Sequence, residues 1–423
     1  MNVGPEPSFD PADGPEDPAF RHYSDACARS LAALLGQDDR HPAIGVARTL
    51  AGALDRPALD AAARHPLYRH WRAQLPARVA SGDTSSVSAW LDHLPRFLLG
   101  AALRTGSDLP GVRVPLSRGG QLRLPGLPGH LELGPDAGPE VLVGQSDGVP
   151  WVEHRGRTGE YPLVAGGAPR VDHPVLPGTG TGTGIELDAT DPWFVDSITD
   201  ANAASDSPEY RRRDITPASA TEHQELFGRA ARLIDLAWPA CLAELAAHVS
   251  VIVPIDSVAL AGWTTVTQLG AIYLRPGGIN ADDGAATGVV DDPVMYTAEA
   301  MVHEGGHTRL QVLSLGQPLF ADGAASRPLR SPLRKDVRPA GGVYHAAFVL
   351  ARMTVFLCRA AAATGRTHYL ARAAECHHDL TVASEELFAQ VALSPPGRRL
   401  LEEAVTAADA AYAGNRTASG VMS

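Results

Sequence analysis

Cysteine is scarce in this sequence, and the few cysteines present lie far apart. Four occur in 423 residues, and no two of them form a CxxC pair. This spacing argues against a zinc ribbon and against a disulfide framework. We therefore expect buried, reduced thiols at all four positions, which are Cys27, Cys241, Cys358 and Cys376.

Basic charge and long apolar runs are also lacking. Lys and Arg number 36 against 48 Asp and Glu, which gives a net charge of −12 at pH 7. A nucleic-acid partner normally requires a basic footprint, so we expect none. No run of 18 apolar residues occurs, and residues 1–20 are acidic and Pro-rich rather than basic and then apolar. We therefore expect no membrane span, no signal peptide and a cytoplasmic protein.

Composition changes along the chain and predicts four segments. Residues 1–20 combine acids with Pro and Gly, which predicts a disordered tail. Residues 21–184 form an N-terminal region, helical at first and then made of short alternating runs broken by Gly and Pro. Residues 185–413 are expected to form a catalytic region, and residues 414–423 a frayed tail. The GTGTGTG run before residue 185 lacks a following helix start with a basic partner, so we read it as flexible chain.

These patterns together predict an α+β fold. The catalytic region is expected to be predominantly helical, with a small sheet packed near the helix described next. The N-terminal region is expected to add helices and a set of short β-strands.

An HExxH motif stands in the segment PVMYTAEAMVHEGGHTRLQVLSLG. On a helix, residues four apart lie on one face, so His303 and His307 can bind one metal ion. Glu304 lies about 100° around the helix and reaches a metal-bound water more easily than the metal. The extended segment GAIYL precedes the motif, and a strand edge beside such a helix can lie along a substrate peptide. The alternative is a pair of surface histidines on an amphipathic helix.

Two glycines, Gly305 and Gly306, lie inside the motif. Each costs a helix roughly 1 kcal/mol relative to Ala. We expect compensation either from the close approach of another backbone or from space for a ligand beside the metal. A locally loosened helix is the alternative.

A third metal ligand is not fixed by the residues alone. The sequence after His307, TRLQVLSLG, lacks the histidine of a metzincin. A gluzincin would use a later helical glutamate, for which Glu375, Glu385 and Glu386 are candidates without a recognisable signature. The next histidine, His345, lies on an apolar helix, where a single histidine is more often a core residue than a ligand.

Four stretches carry a resemblance to a known family: GAIYL, AEAMVHEGGH, SPLRKDVRPAGGVYHAAFVLARM and LSPPGRRLLEE. Over roughly residues 185–405 the chain resembles the HExxH-motif peptide-modification family, the 2-oxoglutarate-dependent peptide β-hydroxylases of ribosomal-peptide biosynthesis. The chain departs from the family at Gly305 and Gly306, where typical members have a bulky aromatic residue and Gln.

The resemblance implies a ligand set and two cofactors. His345 would join His303 and His307 around Fe(II), leaving open positions for 2-oxoglutarate and O₂. The distal carboxylate of 2-oxoglutarate needs a cationic fork, for which Arg338 is the first candidate and Arg334 the second. Solvated surface charge is the alternative for both arginines.

The resemblance also implies a role for Glu304 and the partners. Glu304 would orient a ligand or position a substrate group. The substrate would be a ribosomally made precursor peptide hydroxylated at a β-carbon, and a second peptide-modifying enzyme is a further expected partner. The main alternative is a zinc metallopeptidase in which Zn²⁺ binds the motif and Glu304 is the general base. A peptide-binding module with a degenerate metal site is a third.

Overall fold

The architecture is known from a computed structural model, which describes most of the chain. The described residues are 8–11, 17–37, 41–116, 120–127, 130–160, 170–171, 175–176, 185–188, 191–203, 215–257, 261–277, 292–330 and 337–418. The helices are α1 (Pro18–Leu35), α2 (Pro42–Gly52), α3 (Arg56–Arg64), α4 (Pro66–Ala80), α5 (Thr84–Leu91), α6 (Arg96–Leu103), α7 (Pro192–Ala203), α8 (Ala220–Ala237), α9 (Pro239–His248), α10 (Pro293–Gly316), α11 (Ala340–Thr364), α12 (His368–Gln390) and α13 (Pro395–Ala418).

The described strands are short and lie between α6 and α11 in the chain. They are β1 (Leu109–Pro115), β2 (Gln121–Arg123), β3 (His130–Glu132), β4 (Glu140–Ser146), β5 (Val149–His154), β6 (Arg157–Glu160), β7 (Arg170–Val171), β8 (Val175–Leu176), β9 (Ile185–Leu187), β10 (Thr216–Pro217), β11 (Val251–Asp256), β12 (Gly262–Thr264), β13 (Ala271–Leu274), β14 (Pro328–Arg330) and β15 (Val337–Pro339). The N-terminal region holds an antiparallel sheet in the order β1-β4-β5-β6 and a smaller one in the order β2-β3-β7.

The largest sheet is mixed and lies against α10. Its order is β12-β13-β11-β9-β8, and β10 also pairs with β11. β11 runs parallel to β9 and β13, whereas β12 pairs antiparallel with β13. Strands β11 and β13 are apolar along almost their whole length because both of their faces are covered. The predicted α+β fold, with a small sheet beside the HExxH helix, is confirmed.

Helix α11 forms the centre of the helical layer, packed by α8, α10, α12 and α13. Among the described residues it is the one helix long and apolar enough to cross a membrane, and 83% of its apolar window is buried inside the fold. A helix surrounded by other helices is apolar on all sides, as a membrane-spanning helix is. Its hydropathy is therefore accounted for by packing.

The described part of the predicted disordered tail, residues 1–20, is packed. Phe9 is 1% exposed and contacts Phe348 edge to face. Asp17 forms a buried ion pair with Arg309, and α1 begins directly after it. The partners come from positions about 300 residues away in sequence, so local composition could not reveal them.

The two ends of the chain also differ from expectation in detail. Helix α13 continues to Ala418, so the first part of the predicted frayed tail at 414–423 is helical. Residues 1–7, 12–16 and 419–423 lie outside the described residues.

Candidate metal centre

Helix α10 carries the HExxH motif and is fixed at its start by a side-chain cap. The Asp292 carboxylate accepts a hydrogen bond from the Met295 N–H, and Pro293 occupies the first turn, where its missing N–H costs nothing. Arg366 of the loop before α12 donates to the same carboxylate. The cap therefore also ties the start of α10 to α12.

The two glycines of the motif allow neighbouring helices to approach α10. A Cβ at Gly305 would lie 2.4 Å from Leu245 Cδ1 of α9, and one at Gly306 would lie 3.1 Å from Val349 Cγ1 of α11. The expected compensation is thus corrected: side chains of two helices fill the space, rather than another backbone or a ligand. The alternative of a locally loosened helix is not seen, because α10 is helical without interruption through both glycines.

Three imidazoles meet on the side of α10 that faces α11. His303 Nε2 lies 3.1 Å from His307 Nε2, and His307 Nδ1 lies 3.2 Å from His345 Nδ1. All three side chains are half-buried. The structure thus brings His345, the ligand implied by the resemblance, next to His307, whereas the compact group of potential ligand atoms holds His303, Glu304 and His307 without it.

The spacing of the motif pair fits a shared ion. Two nitrogen ligands about 2.0–2.1 Å from one ion lie about 2.9 Å apart at a right angle and about 3.4 Å apart at a tetrahedral angle. The 3.1 Å between His303 and His307 falls between these limits. His345 faces the other nitrogen of His307, so the rings form a row. Binding one ion through all three therefore requires the His307 or the His345 ring to reorient.

Burial keeps the three imidazoles neutral. It lowers the pKa of His303 to about 4, with a smaller contribution from the Arg372 charge. The pKa of His345 is likewise lowered to about 4 by burial and then by Arg338. Burial, the other two histidines and Arg338 hold the pKa of His307 well below its ordinary value. Neutral imidazole is the form that binds a metal.

Glu304 lies beside the pair and is 4% exposed. Burial raises the pKa of its carboxyl to about 8, opposed in part by a hydrogen bond with the Thr264 side chain. Its Oε1 lies 3.8 Å from His303 Nε2, and its Oε2 has no hydrogen-bond partner among the described residues. The potential ligand atoms of His303, Glu304 and His307 all lie within 4.8 Å of one another.

Strand β12 covers Glu304. A Cβ at Gly262 would lie 3.0 Å from Glu304 Cγ, so glycine permits this close approach. The sequence predicts that the extended segment GAIYL, which forms β13, is the strand whose edge can lie along a substrate peptide. β13 is an inner strand, however, and β12 is the edge strand of the described sheet next to the motif.

Of the two arginines predicted to bind the carboxylate, one lies in the described part of the chain. Arg338 lies on β15 with its guanidinium near Gly342, and its charge acts on His307 and His345. Arg334 lies outside the described residues. The gluzincin candidates on α12 are not part of the described metal-ligand group, and Glu375 instead accepts from Arg372.

Several residues that contact the site were not assigned a role from the sequence. Glu299, one turn before His303, forms a two-pronged ion pair with Arg372 of α12. Thr264 reaches Glu304 from β12, and Met353 of α11 contacts His303. Each contact joins elements far apart in sequence. Glu299 and Met353 stand in stretches that carry the resemblance, but neither of them nor Thr264 was assigned a role from the sequence.

Comparison with known proteins adds no relative: no family model matches the chain, and no curated protein matches it.

Proposed function

We propose that the chain is an Fe(II)- and 2-oxoglutarate-dependent dioxygenase that hydroxylates a β-carbon of a ribosomally made peptide. The observation that carries the proposal is the position of His345, 3.2 Å from His307 and beside the charge of Arg338. A third imidazole would complete a nitrogen ligand set, and the arginine whose charge acts on it would offer a site for a carboxylate.

When bound, iron with 2-oxoglutarate and O₂ would supply the oxidant for hydroxylation: one oxygen atom of O₂ would enter the C–H bond to give C–OH, and the other would convert 2-oxoglutarate to succinate and carbon dioxide. The residues of the chain would bind the ion and 2-oxoglutarate and orient the substrate peptide. The neutral imidazoles of His303, His307 and His345 would hold the ion, and Arg338 would bind the distal carboxylate of 2-oxoglutarate. The buried carboxyl of Glu304 would position a substrate group by hydrogen bonding.

The proposed substrate is a precursor peptide, and a second peptide-modifying enzyme is a proposed partner. We propose a cytoplasmic location, with neither nucleic acid nor membrane as a partner. The net charge of −12 supports the absence of nucleic acid, because phosphate contacts need a basic surface.

A zinc metallopeptidase is the second candidate. It is favoured by one observation, the compact group of His303, Glu304 and His307. In that enzyme His303 and His307 would hold the ion, which would supply Lewis-acid chemistry, and Glu304 would be the general base that takes up a proton and passes it to the leaving amine.

The experiment that separates the candidates starts with anaerobic purification and metal analysis. The hydroxylase is expected to bind Fe(II) in one-to-one ratio and to form succinate from 2-oxoglutarate with a candidate precursor peptide. His345→Ala should lower Fe(II) affinity by more than the 10–100-fold typical of residues that only support a ligand. His378→Ala, which changes an exposed histidine of α12, is the matched control and should bind as the parent does.

Glu304→Gln provides the second comparison. A peptidase should lose all cleavage, whereas the hydroxylase should keep metal binding and part of its succinate formation. Full zinc occupancy with peptide cleavage and no 2-oxoglutarate turnover would overturn the proposal. Failure of the parent protein to bind any metal would support a peptide-binding module instead.

A further inference from the structure

A methionine sulfur lies against the first histidine of the motif. His303 Nδ1 is 3.1 Å from Met353 Sδ, and Met353 is 4% exposed on α11. The same helix carries His345, about two turns earlier. Helix α11 therefore contacts two imidazoles of the candidate centre, one through a ring and one through a thioether.

The chemistry of the two atoms fixes the direction of the hydrogen bond. A thioether sulfur is a weak acceptor and carries no hydrogen to donate. The contact can therefore be a hydrogen bond only when the proton of His303 is on Nδ1. A neutral imidazole protonated on Nδ1 has its free lone pair on Nε2, which is the atom that faces His307.

We infer that Met353 is a positioning residue that holds His303 in the tautomer and ring orientation needed for metal binding through Nε2. The inference rests on the metal site proposed above. It extends that proposal to a residue outside the motif and assigns α11 a part in presenting His303.

The partner is unusual in kind. A metal-binding histidine mostly donates its second N–H to a carboxylate, a backbone carbonyl or water. Met353 offers a neutral acceptor in an apolar position, so it fixes the tautomer without adding negative charge. The nearest carboxyl, Glu304, lies on the Nε2 side of the ring and cannot take over this role.

Two substitutions test the inference. Met353→Leu keeps the volume and apolar character but removes the acceptor. Met353→Gln restores an acceptor, its amide oxygen, at similar length. Met295→Leu changes another buried methionine on α10 and serves as the matched control.

The measurements are the tautomer of His303 and the affinity for a metal. In the metal-free protein, ¹⁵N NMR of the imidazoles should show Nδ1–H for His303 in the parent and Met353→Gln, and a larger Nε2–H fraction in Met353→Leu. Titration with Co(II), followed by its visible absorption, should show about tenfold weaker binding for Met353→Leu, at the lower end of the effect typical of supporting residues. Met353→Gln and Met295→Leu should bind within about twofold of the parent. Equal melting temperatures would separate this effect from a loss of folding.

The outcomes distinguish the inference from the proposed function. A parent protein that binds no Co(II) or Fe(II) would contradict the metal site itself. A parent that binds Co(II), together with a Met353→Leu variant of equal affinity and unchanged tautomer, would overturn only the role of Met353. Weaker binding in Met353→Leu that Met353→Gln does not restore would indicate a packing effect and would also overturn it.

Discussion

Histidine has two different uses among the buried positions of this chain. At the candidate metal centre three imidazoles form a row, with His307 between His303 and His345. His65, in contrast, caps a helix: its Nδ1 accepts a hydrogen bond from the Leu67 N–H at the start of α4. Burial lowers the pKa of His65 to about 3, helped by the positive charge of Arg123. The neutral ring is both the form that burial favours and the form that can accept from an N–H.

The buried cap predicts a specific pH dependence of stability. Unfolded His65 titrates near its ordinary pKa of 6.5, and folded His65 near 3. Between these values the unfolded chain binds the extra proton, so stability is full above pH 6.5 and falls as the pH is lowered. His65 alone contributes a slope of about 1.4 kcal/mol per pH unit in this window.

Urea unfolding at pH 7, 6 and 5 measures this slope. His65→Asn keeps a capping acceptor but does not titrate, so its free energy of unfolding should fall less steeply with decreasing pH. The other buried histidines titrate in both proteins and cancel in the comparison. Parallel pH profiles for the two proteins would contradict the assignment.

At the scale of elements, the position of α10 depends on two glycines, whose lack of a side chain lets neighbouring helices approach. Gly305 lets the Leu245 side chain of α9 reach the helix, and Gly306 does the same for Val349 of α11. The cost in helix propensity, roughly 1 kcal/mol for each glycine, is offset by this close packing. Since α11 carries His345, the depth of the contact at Gly306 also sets the distance between the motif and the third imidazole.

Gly305→Ala is therefore expected to destabilise the fold, although the same change stabilises an open helix. Overpacking against Leu245 costs about 1–3 kcal/mol, which outweighs the gain of about 1 kcal/mol in propensity. Combining it with Leu245→Ala should cost less than the sum of the single changes.

Chemical unfolding of the two single variants and the double variant gives the interaction energy. Gly228→Ala is the matched control, because the nearest atom to its added Cβ is 3.6 Å away on Arg232 of the same helix α8. It should be neutral or slightly stabilising. If the changes in the free energy of unfolding at Gly305 and Leu245 add strictly, the proposed steric contact between the two sites is contradicted.

At the scale of the whole molecule, a buried network of four charges joins Asp17, near the start of the chain, to helices α9, α10 and α11. Asp17, before α1, pairs with Arg309 of α10. Arg309 Nε lies 3.3 Å from Glu244 of α9, which also accepts from Arg352 of α11 at 2.5 Å. Two acids balance two bases, so the network is neutral while all members are present.

Removing one member leaves an uncompensated buried charge. Asp17→Asn should lower the free energy of unfolding by about 3 kcal/mol, near the lower end of the range for a broken buried pair. Asn also caps helices well, so the effect reports the charge rather than the cap of α1. Asp10→Asn, at an exposed position of the same segment, should change the unfolding free energy by less than about 0.5 kcal/mol. A similar small effect at Asp17 would show that the network does not stabilise the fold.

Part of the site was predictable from sequence because its geometry is local. The spacing of His303 and His307 predicts two imidazoles on one helical face, and the structure has their Nε2 atoms 3.1 Å apart. His345 was ambiguous on its residues alone, since a histidine on an apolar helix is compatible with a core role. The resemblance favoured it, and it does lie beside His307. Met353 ends one of the stretches that carry the resemblance, but no role was predicted for it, because a methionine on an apolar helix is typical of a core position.

The sequence by itself determined what depends on neighbours along the chain: the α+β class, the helix that bears the motif, and the pairing of two histidines one turn apart. Tertiary structure decided the rest. It placed α11 against α10, covered Glu304 with β12 and buried Phe9 and Asp17 of the N-terminal segment. The physical reason is that helical repeat and charge pattern act over a few residues, whereas these contacts join segments tens to hundreds of residues apart. Which partner each buried group meets is therefore set by the packing of the entire chain.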